Sequence, residues 1–144
     1  MKLWIDADGC PVVALAADTA FRYGVPTVIV KNYAHEITHP HAEVITVDVT
    51  RDGADYYIAN RLSPGDLLIT QDYGLAAMAL SKEAGVLTQD GLSISEDNID
   101  SLLSRRHIHA ELRRKHRKYS RQGKRKKSQD EAFSSALVQL LEAL

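Results

Sequence analysis

A chain of 144 residues fits one domain, large enough to bury roughly 70% of the surface its unfolded chain exposes. Hydrophobic residues make up 44% of it, no apolar run approaches the ~20 residues of a membrane span, and Cys10 stands alone. That excludes a membrane-spanning helix, an internal disulfide and a multi-cysteine zinc site.

The chain then reads as alternating strands and helices. Lys2–Asp6 is a short apolar strand, and MKLWIDAD reaches Asp6 and Asp8 too early for the apolar region of a signal peptide. A helix is predicted from about Pro11, with Val12, Val13, Ala16, Ala17 and Ala20 on one face and Gly24 as its stop. Thr27–Val30 reads as a buried strand, Asn32 to His41 as irregular, and Glu43–Val47 as a third strand. Asp52 to Leu62 looks helical and ends at Ser63-Pro64-Gly65. Asp66–Thr70 is a fourth strand, Tyr73–Lys82 a helix turning Leu75, Met78 and Ala79 inward, and Val86–Thr88 a fifth strand. Strands separated by helices of about ten residues define βαβ units and a mostly parallel central sheet.

The last third differs in character. Glu96 to about His116 reads as a helix with Ile99, Leu102, Leu103 and Leu112 on one face. Residues 118–127 have almost no apolar content and read as a linker. Ser128-Gln129-Asp130-Glu131 has the form of a capping box. Ala132, Phe133, Ala136, Leu137, Leu140 and Leu141 follow at helical spacing, so this last helix must dock on something. The expected organisation is a single domain, 1–144, with an α/β body over 1–95 and a helical part over 96–144.

The formal net charge of −1 conceals an asymmetry. Residues 1–104 hold 6 Lys/Arg against 15 Asp/Glu, whereas residues 105–127 hold 12 Lys/Arg against Glu111 alone. An acidic body beside a basic segment is the pattern expected where one part grips phosphates and another cleaves them. The candidate phosphate-gripping residues are Arg113, Arg114, Lys115, Arg117, Lys118, Arg121, Lys124, Arg125, Lys126 and Lys127, with nucleic acid as the expected partner.

Three apolar runs end at aspartates: LWIDAD at Asp6 and Asp8, VITVD at Asp48, and LLITQD at Asp72. In a parallel sheet these carboxyl ends share one edge, outside which open α/β sheets bind their ligands. Asp6 and Asp8 face the same side of a continuing strand, and Asp52 and Asp55 are neighbours on one helix face. Carboxylates gathered there repel one another unless a cation neutralises them, and hard oxygen ligands suit Mg²⁺ or Mn²⁺. Such ions activate a water and stabilise the leaving oxygen of a phosphoryl displacement. Each aspartate also has a plainer reading. Asp8, Asp52 and Asp72 stand where helix caps belong, and Asp90-Gly91 is a hairpin signal. Capping does not explain Asp6, which ends an apolar strand where an unpaired charge is costly. The candidate catalytic set is therefore Asp6, Asp8, Asp52, Asp55 and Asp72.

Asp6-Ala7-Asp8-Gly9-Cys10-Pro11-Val12, then Asp52-Gly53-Ala54-Asp55, then Gly65 to Asp72 with Leu75-Ala76 resemble the YaiI/YqxD family of uncharacterised bacterial proteins. The likeness extends to Asp97-Asn98-Ile99 and the helix after Asp130. That family is grouped with PIN-like domains, whose characterised members are mostly metal-dependent ribonucleases with a small acidic cluster. The resemblance implies that Asp6, Asp55 and Asp72 are the metal-binding positions, with Asp8 and Asp52 as companions. It also implies phosphodiester hydrolysis, most readily of RNA. The sequence departs from the family at Gly9, at Tyr73-Gly74 and in the basic linker.

Two other readings compete. In a haloacid-dehalogenase-like phosphatase, Asp6 would be the nucleophile and Asp8 the acid/base, but no downstream lysine and acidic pair follow in the order that chemistry needs. In a nucleic-acid-binding module without catalysis, the basic segment would do all the work. Cys10, beside carboxylates that oppose thiolate formation, reads as a packing residue. His35, His39 and His41 lack a zinc frame and read as solvent-exposed. The expected compartment is the cytoplasm, and self-association is left open.

Overall fold

The computed structural model describes residues 1–32, 36–48, 53–105 and 124–144. Asp52, Arg113, Arg114, Lys115, Arg117, Lys118, Arg121, His35 and Leu112 lie outside the described residues. The chain forms β1 (Leu3–Asp6), α1 (Val13–Arg22), β2 (Thr27–Asn32), β3 (Glu43–Val47), α2 (Gly53–Arg61), β4 (Leu67–Ile69), α3 (Tyr73–Ser81), β5 (Gly85–Leu87) and β6 (Ser93–Ile94). Residues 99–105 are helical (α4), and α5 spans Lys127–Glu142.

The six strands lie in the order β3-β2-β1-β4-β5-β6. All neighbours are parallel except β5 and β6, which are antiparallel. The period of two sorts each strand between two faces. Leu3, Ile5, Ile29, Leu67, Ile69 and Leu87 point to one face and are covered by α1 and α5. Trp4, Val28, Val30, Leu68 and Val86 point to the other, packed with Ile58 of α2, Leu75 of α3 and Leu102 of α4. Fully burying Phe133 or Leu137 of α5 contributes about 1.5–3 kcal/mol each, which fastens the C-terminal helix to the body's own core.

Local chemistry explains the departures from the sequence-based expectations. β2 runs on to Asn32 because Lys31 and Asn32 pair with Thr46 and Val47. Met78 is exposed, since Leu75, Ala76 and Ala79 fill the inner face of α3. β6 was not expected: with two residues it is too short to carry a period. The hairpin signal just before it was sound, and Gly91 takes φ +86° in that turn. Helix α5 begins at Lys127 with Lys126 at the cap. Gln129 Oε1, rather than Glu131, accepts from the Lys126 backbone N–H at 2.6 Å. Ala132 is exposed rather than part of the docking face.

His39 is not solvent-exposed as expected. Its side chain is 8% accessible and its Nε2 lies 2.6 Å from Asp18 Oδ1. His41 stacks on Phe21 at 3.7 Å between ring centroids. Among the described residues, no helix is long and apolar enough to cross a membrane.

Candidate functional site

The strand order reverses direction between β1 and β4. From β1 the chain passes through α1 to β2 on one side, and from β4 through α3 to β5 on the other. Helices leaving on opposite faces open a crevice at the carboxyl ends of these two strands, where ligands of open α/β sheets bind. A cavity of about 460 Å³ lies there, lined by Asp6, Asp8, Asp48, Asp55 and Asp72 together with Thr70, Asn32, Gln71 and Gln89. Four of the five candidate carboxylates therefore meet at one place; Asp52 lies outside the described residues.

Each is delivered by a distinct piece of local structure. Asp6 is the last residue of β1 and shares the Trp4 side of the sheet, toward α2 and α3. Its Oδ2 accepts from Thr70 Oγ1 at 2.8 Å, and Thr70 Oγ1 in turn accepts from the Asp72 N–H at 3.0 Å. Thr70 thus ties the ends of β1 and β4 together. Asp72 is also a helix cap, as its position suggested: Oδ1 accepts from Gly74 N at 2.8 Å and Leu75 N at 3.1 Å. Capping and lining the cavity are not alternatives here. Asp8 does not cap α1, whose N-cap is Val12; its Oδ1 accepts from Asn32 N at 3.2 Å and holds the β1 exit against β2. Asp55 enters from the first turn of α2.

The electrostatics reflect burial first and neighbouring carboxylates second. The Asp6 carboxyl is raised to about 6, first by burial, then by Asp72 and Asp8, with the Thr70 hydrogen bond partly opposing. Burial pushes the Cys10 thiol up and Asp6 adds to this, which agrees with a packing role rather than a nucleophile. Among the described residues, no three His, Cys, Asp or Glu side chains stand together as a ready-made metal cage.

Aspartates elsewhere behave differently. Asp66, at the opposite edge of the sheet, is buried but accepts from Lys2 N, Trp4 Nε1 and Ser63 N, a closed structural set. Asp90 sits in the β5–β6 turn and pairs with Arg125 at 2.9 Å. Arg125, expected to contact phosphate, is engaged within the protein. It also binds Asp130 at 2.7 Å and the Gln89 carbonyl at 2.6 Å, while Lys124, Lys126 and Lys127 are exposed.

Thr70, Asn32, Gln71 and Gln89 are the cavity residues that motif reading passed over. Thr70 stands two before Asp72 on the strand exit, a spacing that places both on one side and could have flagged it. Nothing local marks the other three. Gln89 is held through its backbone N–H by Gln71 Oε1 at 2.8 Å, and its own Oε1 is shielded without a hydrogen-bond partner.

Fold and site together define an α/β protein with a polyanionic cavity at the switch point of a mostly parallel sheet. The family model described as "Uncharacterized BCR, YaiI/YqxD family" matches residues 4–143, and the chain belongs to that family. It is 46% identical over 142 residues to a UPF0178 protein of Alkaliphilus oremlandii, covering 99% of this chain and 92% of that one. A UPF0178 protein of Natranaerobius thermophilus is 43% identical over 141 residues, covering 98% and 96%. Among solved structures, a variant of Rae1 (YacP) from Bacillus subtilis aligns over 100% of both chains with a TM-score of 0.46 and 13% identity.

Proposed function

We propose that the protein is a metal-dependent nuclease that hydrolyses phosphodiester bonds, most readily in RNA. The observation that carries this reading is the gathering of Asp6, Asp8, Asp55 and Asp72 around one cavity at the switch point. The carboxylates of Asp6, Asp8, Asp55 and Asp72 are hard oxygen donors, which suit Mg²⁺ or Mn²⁺. A closed cage is not required, because Mg²⁺ keeps several waters and binds through one or two carboxylates plus substrate phosphates. Burial, and after it the nearby Asp72 and Asp8, raise the Asp6 carboxyl, and a divalent cation would favour its charged form. When bound, the ion would lower the pKa of a coordinated water and offset charge on the phosphate.

The chain's own residues then have separable tasks. Asp6 and Asp72, bridged by Thr70, hold their positions through the strand ends rather than through mobile loops. Asp55 approaches from α2, and Asp8, which accepts from Asn32 N, would orient a water or accept its proton. The exposed Lys124, Lys126 and Lys127 supply attraction for a phosphate chain.

Purified protein with Mn²⁺ or Mg²⁺ is expected to cleave a single-stranded oligonucleotide, and Asp6→Asn to abolish cleavage while leaving the chain folded. Activity that persists in Asp6→Asn, or survives EDTA, rules the mechanism out. Wild type that binds RNA but never cleaves it would favour the binding-module reading.

Metal binding is tested separately. Mn²⁺ is expected to raise the melting temperature, since a ligand that binds only the native state adds RT ln(1 + [L]/Kd) of stability. Asp72→Asn is expected to blunt this response. Asn also serves as an N-cap, so the substitution removes charge and spares the start of α3. Equal responses in both proteins would leave Asp72 as a helix cap alone.

A further inference from the structure

We infer that Arg125 is a positioning residue, which clips the end of the basic segment to the cavity wall so that Lys124, Lys126 and Lys127 form a fixed track for the phosphates of a single-stranded polynucleotide. The inference rests on the nucleic-acid reading above and adds where the substrate's flanking chain runs.

The clip is built from both sides of the seam. Arg125 Nη2 donates to the Gln89 carbonyl at 2.6 Å, Nη1 to Asp90 Oδ1 at 2.9 Å and Nε to Asp130 Oδ1 at 2.7 Å. One planar guanidinium thus joins the β5–β6 turn to the first turn of α5, a task suited to its rigid fork of donors. Gln129 reinforces it, with Nε2 donating to Asp90 Oδ1 at 3.3 Å and Oε1 accepting from the Lys126 N–H. Behind it, Gly91 lies so close to α5 that a Cβ would stand 2.7 Å from the Ala132 carbonyl oxygen.

Gln89 lines the cavity, so the clip ties residues 124–127 to one of its wall residues. The Arg125 charge is already matched by two carboxylates, whereas the lysines on either side of it are exposed. The arginine places the lysines, and the lysines meet the phosphates. A side chain that positions others does not behave as a simple charge, and that difference can be measured.

The experiment measures binding of a fluorescent single-stranded RNA of about a dozen nucleotides in EDTA, by anisotropy, over a range of salt. Melting curves establish that each variant is folded. Arg125→Met is expected to flatten the salt dependence by about 2, because three single-strand phosphate contacts at about 0.7 each are lost. A fall of about 0.7 would make Arg125 an ordinary phosphate contact and overturn the inference.

The sign of a second effect is decisive. Asp130→Asn removes a negative charge, which by electrostatics alone tightens polyanion binding. With the clip loosened, it is expected instead to weaken binding severalfold. Glu131→Gln, one residue on and exposed, removes the same charge without touching the clip and is expected to tighten binding slightly. If both substitutions tighten binding, the positioning role is wrong while the nucleic-acid reading stands. If wild type binds no RNA, both fall together.

Discussion

Asp6→Asn is expected to stabilise the metal-free protein at pH 8 by roughly 3 kcal/mol and to lose that advantage on acidification. A carboxyl raised from 3.8 to about 6 holds its proton more tightly in the folded state than in the unfolded chain. Its contribution is therefore fully present below about pH 4 and disappears as pH rises through 6. Above that, the buried charge costs about 1.36 kcal/mol for each unit of the rise. Asparagine removes the charge but keeps an oxygen for the Thr70 hydroxyl. Urea denaturation of both proteins between pH 4 and 8, in chelator, gives the comparison. Parallel curves would mean that Asp6 is not under strain. The substitution expected to abolish cleavage is thus also the one expected to stabilise the fold, a trade typical of active sites.

The second large effect lies at the seam between the β5–β6 turn and α5. Gly91→Ala is expected to destabilise by roughly 2–5 kcal/mol, combining about 1–2 for a left-handed non-glycine with about 1–3 for overpacking. Gly91 has φ +86°, and the added carbon would meet the Ala132 carbonyl at 2.7 Å and Phe133 N at 3.2 Å, backbone atoms that cannot swing aside. Gly65→Ala separates the two contributions. Gly65 has φ +87° with nothing within 4 Å of an added carbon, so only the conformational penalty applies. Denaturant midpoints that coincide for the two variants would show that the turn and helix are not in contact.

Much of this architecture was legible because periodicity reports burial. β1, β3 and α3 fall close to their expected bounds, though Met78 of α3 faces out, and the aspartates ending β1 and following β4 mark the shared edge. What was not legible depended on partners far away in the chain. Asp8 has the look of a cap until Asn32 takes its oxygen, 24 residues on. Arg125 reads as one more cation in a basic run until Asp90, 35 residues back, claims it. Asp6 and Thr70 are 64 apart, a link that only the parallel pairing of β1 with β4 creates. His39 reads as a loop residue because nothing in its neighbourhood announces Asp18.

The contact of α5 with α1 has a consequence for how the chain comes to be folded. Helix α1 is made more than a hundred residues before α5, yet the core it shares with the sheet includes Phe133, Leu137 and Leu141 of α5. Tyr23 at the end of α1 donates to Glu142 across 119 positions. Vectorial synthesis therefore cannot finish this layer piecemeal, because α1 lacks part of its apolar cover until α5 emerges. The wall residue Gln89 waits on the same event, since Arg125 and α5 brace its turn. Every residue that lines the cavity, from Asp6 to Gln89, is made before the helix that braces its Gln89 wall.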